Sequence, residues 1–246
     1  MHASRALMWA GTVVLLAGCA TSAPAPQADV AESPWAVQSG PSAHWQHMAF
    51  PGKVPTRFSY ARKDGRDAMA VMGVSSASML RTRVRIEPGD LGSVRFSWRV
   101  PHLIEGADMG SRDADDSPVR VVLIFEGDRS RLSARDAMLS ELVHAMTGEP
   151  LPYATLMYVW CNKREPGSVI RNARTDRIRK LVVEAGAGRL DQWLDYERDI
   201  RGDYEKAFGE APGALVGVAI MSDSDNTRTT TQAWYGPVRL SGAQAH

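Results

Sequence analysis

Ser93-Val94-Arg95-Phe96-Ser97-Trp98-Arg99-Val100 is the stretch that decides the fold. Val94, Phe96, Trp98 and Val100 alternate with Arg95, Ser97 and Arg99. Successive strand residues point to opposite sides of a sheet, so strict alternation predicts a strand with one face buried and one wet. Upstream, Leu80, Thr82, Val84 and Ile86 alternate with Arg81, Arg83 and Arg85 in the same way. Downstream, residues 119–125 are almost continuously apolar, which predicts a central strand covered on both faces. Arg120 interrupts that run on the side of Val122 and Ile124, and a charge buried there needs a partner. Asp116, or a carboxylate of a later helix, is the expected partner in a structural ion pair.

Residues 153–161, 177–183, 214–221 and 229–240 add further strand patterns, and Lys63-Asp64-Gly65-Arg66 reads as a hairpin turn. Two helices interrupt the strands. Ser133 is an N-cap for residues 134–147, with Gly148 as the stop. The second helix is expected over 190–208, ending at Gly209. Its Trp193, Tyr196, Ile200 and Tyr204 fall at helical spacing on one stripe. The expected fold is mainly β, an antiparallel β-sandwich or jelly roll with two inserted helices.

The start of the chain has a different character. Arg5 is the only charge before an apolar run, Met8 to Leu16, which leads into Leu16-Ala17-Gly18-Cys19. The run is too short to span a bilayer, which takes roughly 20 residues. The order of basic start, apolar segment, small residues and cysteine predicts a secretory signal peptide over 1–18. Leu-Ala-Gly-Cys resembles a bacterial lipobox, which implies that Cys19 is acylated and anchors the protein. Ala20 resembles the outer-membrane sorting choice, so the expected address is the periplasmic face of the outer membrane. Residues 19–42, rich in Ala, Pro and Ser, predict a disordered, lipidated tether. Residues 43–246 form a single domain by length. Cys161, the other cysteine, closes an apolar run and reads as an inert buried thiol.

The chain carries 29 Lys+Arg and 28 Asp+Glu. Residues 1–18 contain only Arg5 among these, so removing them leaves 28 against 28. Balanced charge without a basic run argues against nucleic acid as a partner.

Three motifs carry a family resemblance. The first is Ser111-Arg112-Asp113-Ala114-Asp115-Asp116-Ser117-Pro118-Val119-Arg120. The second is Trp193 with Glu197-Arg198-Asp199-Ile200, Asp203-Tyr204 and Phe208-Gly209-Glu210. The third is Ala219-Ile220-Met221-Ser222-Asp223-Ser224-Asp225-Asn226-Thr227, followed by Trp234-Tyr235-Gly236. Together they resemble the bacterial envelope family called domain of unknown function 3047, over residues 45 to 240. The family's usual Thr stands as Ser224 here, which keeps the hydroxyl. The resemblance implies a jelly-roll sandwich of the kind found in carbohydrate-binding modules and supplies no activity.

Site residues follow from chemistry. Asp223, Asp225 and Asn226 place three oxygen side chains in four positions after an apolar strand, which suits a hard cation such as Ca2+. Asp113, Asp115 and Asp116 would supply further oxygens if their loop lies nearby. The competing reading is turn chemistry, in which Asp and Asn cap their own backbone. Trp234 and Tyr235 are adjacent, so in a strand they face opposite ways, and one of them could present a sugar-stacking face. Trp98, Trp160 and Trp193 are expected in the core. There is no Gly-x-Ser-x-Gly, His-Glu-x-x-His or Ser-x-x-Lys pattern.

The expected function is ligand binding by a lipid-anchored envelope domain, with a glycan as ligand and the membrane reached through the anchor. Two alternatives stand beside it. One is a carboxylate-dependent glycoside hydrolase or lyase, which needs only two acids at the right separation. The other is a structural accessory protein that binds an envelope partner.

Overall fold

A computed structural model describes residues 45–241. Cys19, the expected signal peptide and the tether lie outside the described residues. The chain forms strands β1 (Gln46–Ala49), β2 (Arg57–Lys63), β3 (Arg66–Val74), β4 (Ala77–Ile86), β5 (Ser93–Arg99) and β6 (Ser117–Phe125). Helix α1 (Ala134–Thr147) follows, then β7 (Ala154–Cys161), β8 (Val169–Arg171), β9 (Ile178–Ala185) and β10 (Trp193–Asp199). Helix α2 (Ile200–Phe208) and strands β11 (Leu215–Asp223), β12 (Thr230–Tyr235) and β13 (Arg239–Leu240) complete it.

The strands make two sheets, one ordered β1-β4-β11-β6-β7-β9-β8 and one ordered β10-β5-β12-β3-β2, with β13 beside β5. Among the described residues every pairing of these strands is antiparallel except β7 with β9. The architecture is an antiparallel β-sandwich of jelly-roll type carrying two helices. β6 lies in the middle of the larger sheet and is buried along nearly its whole length, as its apolar run requires. The β2–β3 turn pairs Lys63 with Arg66. Its two central residues, Asp64 and Gly65, both have positive φ, the conformation that Asp-Gly favours in two-residue hairpins.

The core lies between the sheets. Phe96 and Trp98 of β5 meet Val121 and Leu123 of β6, and Tyr158 and Trp160 of β7. Phe96 stacks on Tyr158 with ring centroids 5.5 Å apart. Each such wholly buried apolar side chain contributes about 1.5–3 kcal/mol. A second apolar cluster covers the other face of the larger sheet, where Val122, Met157, Val159, Ala219 and Met221 pack with Met109. Met109 comes from the segment between β5 and β6, so that segment covers the outer face of the larger sheet.

The second helix is shorter than its sequence pattern implies. Trp193 to Asp199 is the strand β10, paired with β5 through seven consecutive residues, and only Ile200–Phe208 is helical. The same stretch satisfies both periods. Leu194 and Tyr196 alternate with Asp195 and Glu197 while Trp193, Tyr196 and Ile200 keep helical spacing. An available edge on β5 decides for the strand, because antiparallel pairing gives backbone partners to alternate residues along it and buries Leu194 against the core. Asp199 then caps α2 by accepting from the Arg201 amide. Helix α1 starts at its Ser133 cap and ends at Gly148, which has φ 78°.

Candidate functional site

The outer face of the six-stranded sheet is open. Arg95, Ser97 and Arg99 of β5 point there, since Val94, Phe96 and Trp98 point into the core. Trp193, Asp195 and Glu197 of β10 share that face by the same alternation, as does Trp234 of β12. Register makes Arg99 the cross-strand neighbour of both Trp193 and Trp234. The two indoles therefore flank Arg99 in one row, roughly 10 Å apart at about 4.8 Å per strand. Both are half-buried. Arg66 lies over the Trp193 ring at 5.3 Å and Lys63 over the Trp234 ring at 4.8 Å. Such cation–π contacts at exposed sites contribute about 0.5–1 kcal/mol, little enough for a ligand to displace them.

Beside this row lies a groove of about 690 Å³ lined by Arg66, Arg95, Ser97, Asp195, Glu197 and Arg239 among others. Arg66 pairs with Asp195 at 2.9 Å and Arg95 with Glu197 at 3.0 Å. Hydrogen bonds from Arg95 and Ser93 hold the Glu197 carboxyl below its usual range. Trp193 was expected in the core on a helical stripe. Its position on β10 puts it on this outer face instead, because a strand turns each second residue outward. The Trp193 indole nitrogen is buried and makes no hydrogen bond among the described residues.

Trp234 and Tyr235 face opposite ways, and Tyr235 is the inward one. It is wholly buried; its hydroxyl donates to the Met221 carbonyl at 2.6 Å and accepts from the Arg120 amide at 2.9 Å. Tyr235 therefore ties β12 to the larger sheet and offers no ligand contact. Burial pushes its phenol well above the ordinary value.

The first and third family motifs meet at one end of the larger sheet, in a buried charged cluster. Arg120 is 3% exposed. Its guanidinium donates to the Asp115 carboxylate at 3.2 Å, to the Asp115 carbonyl at 2.8 Å and to Asp223 at 3.2 Å. The expected Arg120–Asp116 pair is not made. Asp116 instead accepts from the Asn226 amide at 3.2 Å and from the Thr227 amide and hydroxyl at 2.7 and 2.6 Å. Three donors of the turn after β11 reach Asp116 directly, so its carboxylate locks that turn rather than the arginine. Lys180 of β9, fully buried, reaches Asp115 at 2.5 Å and the Met109 carbonyl at 3.0 Å. Burial, with Arg120 nearby, lowers the Lys180 ammonium to about 8. Burial opposes ionisation of Asp115, yet Arg120 and Lys180 hold it below its ordinary value. Burial, with Asp116 and Asp115 nearby, pushes Asp223 up to about 7 against the pull of Arg120.

Of the three expected cation ligands, Asp223 and Asp225 lie together and Asn226 does not join them. Carboxylate oxygens of Asp116, Asp223 and Asp225 all lie within 4.8 Å of one another. The Asn226 side chain turns away and donates to the Arg112 carbonyl at 3.2 Å. Lys180 and Lys53, which complete the cluster, carried no sequence signal: one sits in a strand pattern and the other between strands, and a lysine in either place reads as a solvated residue.

The chain is a jelly-roll sandwich with an open, aromatic-bearing outer face. Residues 43–239 match the model of the family described as protein of unknown function (DUF3047), and the chain belongs to that family. No curated protein matches it in sequence. Among solved structures it is similar to the family 11 carbohydrate-binding module of a cellulosomal cellulase, Lic26A-Cel5E, of Clostridium thermocellum. That match has 8% identity and a TM-score of 0.41, over 85% of this chain and 93% of the other. It is also similar to a thermostable cellulase derived from the Cel12A cellulase of Rhodothermus marinus, at 10% identity and a TM-score of 0.43, over 80% and 95%. The xyloglucanase domain of NopAA from Sinorhizobium fredii matches at 9% identity and a TM-score of 0.41, over 82% and 99%. Likenesses this distant bear on no ligand and no chemistry.

Proposed function

We propose that this protein is a lipid-anchored envelope protein that binds a glycan, without catalysis, on the outer face of the six-stranded sheet. The observation that carries the reading is the row Trp193–Arg99–Trp234, with the charged groove beside it. Two indoles held by a rigid sheet supply flat apolar faces for sugar rings, and Arg99 between them with the arginines and carboxylates of the groove supplies hydrogen bonds to hydroxyls. A row on rigid strands is preorganised, so little ordering entropy is lost on binding. Anchoring through Cys19 would hold this face near the envelope glycans. No described helix is long and apolar enough to cross a membrane.

The test is affinity electrophoresis and calorimetry of the protein against neutral and acidic polysaccharides and soluble peptidoglycan fragments. Retardation by at least one glycan is expected. Trp193→Ala and Trp234→Ala should each weaken it several-fold, an aromatic contact being worth about 0.5–1.5 kcal/mol beyond its buried area. A double variant that binds like the parent would overturn the assignment of the face, and no retardation by any member of the panel would overturn glycan binding. For the anchor, intact-mass spectrometry should show acyl mass on the mature protein, and Cys19→Ala should abolish it.

A further inference from the structure

The Asp223 side chain contains a buried oxygen with nothing to bond. Its Oδ2 accepts from Arg120, while Oδ1 is shielded from solvent and has no hydrogen-bond partner among the described residues. The side chain is 10% exposed. A carboxylate oxygen of Asp116 lies within 4.8 Å of one of Asp223. Two carboxylates are both acceptors, so their approach is unfavourable unless a proton or a cation stands between them. Asp225 brings a third carboxylate to the same point.

Local cations do not balance these acids. The cluster holds Asp115, Asp116, Asp223 and Asp225 against Arg120, Lys180 and Lys53. Lys180 is taken up by Asp115, and Arg120 is shared between Asp115 and Asp223. Lys53, partly exposed, pairs with Asp225. Asp116 has already given its oxygens to backbone and hydroxyl donors of the turn, which fixes it in place as a preformed ligand.

We infer that Asp116, Asp223 and Asp225 form a Ca2+ site, in which the ion supplies the missing partner of Asp223 Oδ1 and displaces the Lys53 ammonium from Asp225. Ca2+ fits better than Mg2+ because it tolerates irregular sets of oxygens and completes its shell with water, whereas Mg2+ demands near-octahedral geometry. The site joins the loop before β6 to the turn after β11, so the ion would tie together the two family motifs that meet there. Lys53 is the competitor. Its side chain is 35% exposed and can swing into solvent when the ion arrives.

That competition makes the inference testable with residues that are not core packing. The full-length protein in detergent, stripped with chelator, is titrated with CaCl2 and with MgCl2 in mildly alkaline buffer by calorimetry, and melted with and without Ca2+. One Ca2+ per chain is expected, with a higher melting temperature in Ca2+ than in chelator, by mass action on the folded state. Lys53→Met should bind Ca2+ several-fold more tightly, since it removes the competing charge. Asp225→Asn should bind at least about tenfold more weakly, since ligand charge sets Ca2+ affinity and loss of even an outer-shell partner costs about 10–100-fold, while folding normally in chelator. Identical melting in Ca2+ and chelator for the parent chain would overturn the site and leave Asp225 to its Lys53 partner. Binding confined to Lys53→Met would make lysine the natural occupant and overturn it equally. A Ca2+ response unchanged by Asp225→Asn would place the ion elsewhere.

Discussion

Arg66 and Arg120 each pair with a carboxylate far along the chain, yet they stand on outer faces that differ in kind. Arg66 meets Asp195 on the six-stranded sheet, where the two side chains are 46% and 66% exposed. Arg120 meets Asp115 and Asp223 on the seven-stranded sheet at 4% exposure, beneath the segment that follows β5. Water screens the first pair and lets its members separate and re-form at little cost. The second pair has no water to fall back on, so each member depends on the others. A face built from replaceable ion pairs can exchange them for a ligand. A face built from irreplaceable ones fixes loops and holds register. The same residue types therefore serve recognition on one sheet and architecture on the other, and covering is what separates them.

The sharpest way to break that comparison is Arg120→Met. Removing the guanidinium leaves Asp115 and Asp223 buried with fewer partners, and an uncompensated buried charge costs about 3–5 kcal/mol. Urea denaturation of parent and variant measures it directly. A loss below about 1 kcal/mol would mean that the covered face behaves like the open one.

Lys180 sharpens the comparison through pH. Burial lowers the ammonium to about 8 from an ordinary 10.5. Between those values the unfolded chain binds the extra proton and the folded chain does not, so stability from this group rises with pH across that window. At neutral pH the charged lysine is a cost to the fold, partly offset by Asp115. The gap between the two values corresponds to about 3 kcal/mol. The stability of the parent relative to Lys180→Met should therefore climb as pH rises from 8 towards 10.5, by up to that amount. Parallel curves for the two chains would show that the ammonium is solvated, and that the seven-stranded face is wetter than its packing implies.

How much of this difference is written in the sequence depends on the residue. The alternation of residues 93–100 identifies β5 because one sheet face is wet, and the apolar run of 119–125 identifies β6 because neither is. Periodicity fails at Trp193 to Ile200, where helical and strand spacing coincide and a neighbouring strand edge decides. That failure concealed Trp193, half of the proposed binding row. Adjacent positions showed that Trp234 and Tyr235 oppose each other, but which of them faces inward depends on the partner sheet, where the Met221 carbonyl and the Arg120 amide wait for a hydroxyl. The partner of Arg120 was equally hidden. Asp115 and Asp116 are neighbours in one loop, and only the path of that loop over the sheet gives one to the arginine and the other to the turn after β11.

The smallest expected effect belongs to the open face. Arg66→Ala removes the pair with Asp195 and the cation over the Trp193 ring. Because both partners are largely exposed, the loss in stability should lie within about 1 kcal/mol, the range of surface ion pairs. The same change uncovers the Trp193 indole, so its consequence for binding has a different sign from its consequence for folding. If Arg66 chiefly shields the ring, a glycan gains a free stacking face and binds at least as well. If the guanidinium donates hydrogen bonds to the ligand, affinity falls by several-fold while the melting curve hardly moves. Paired calorimetry and thermal melts on this one variant separate the two roles. A stability loss as large as that of Arg120→Met would erase the distinction between the faces, since it would require the Arg66–Asp195 pair to be as dependent on burial as the pairs under the covering segment.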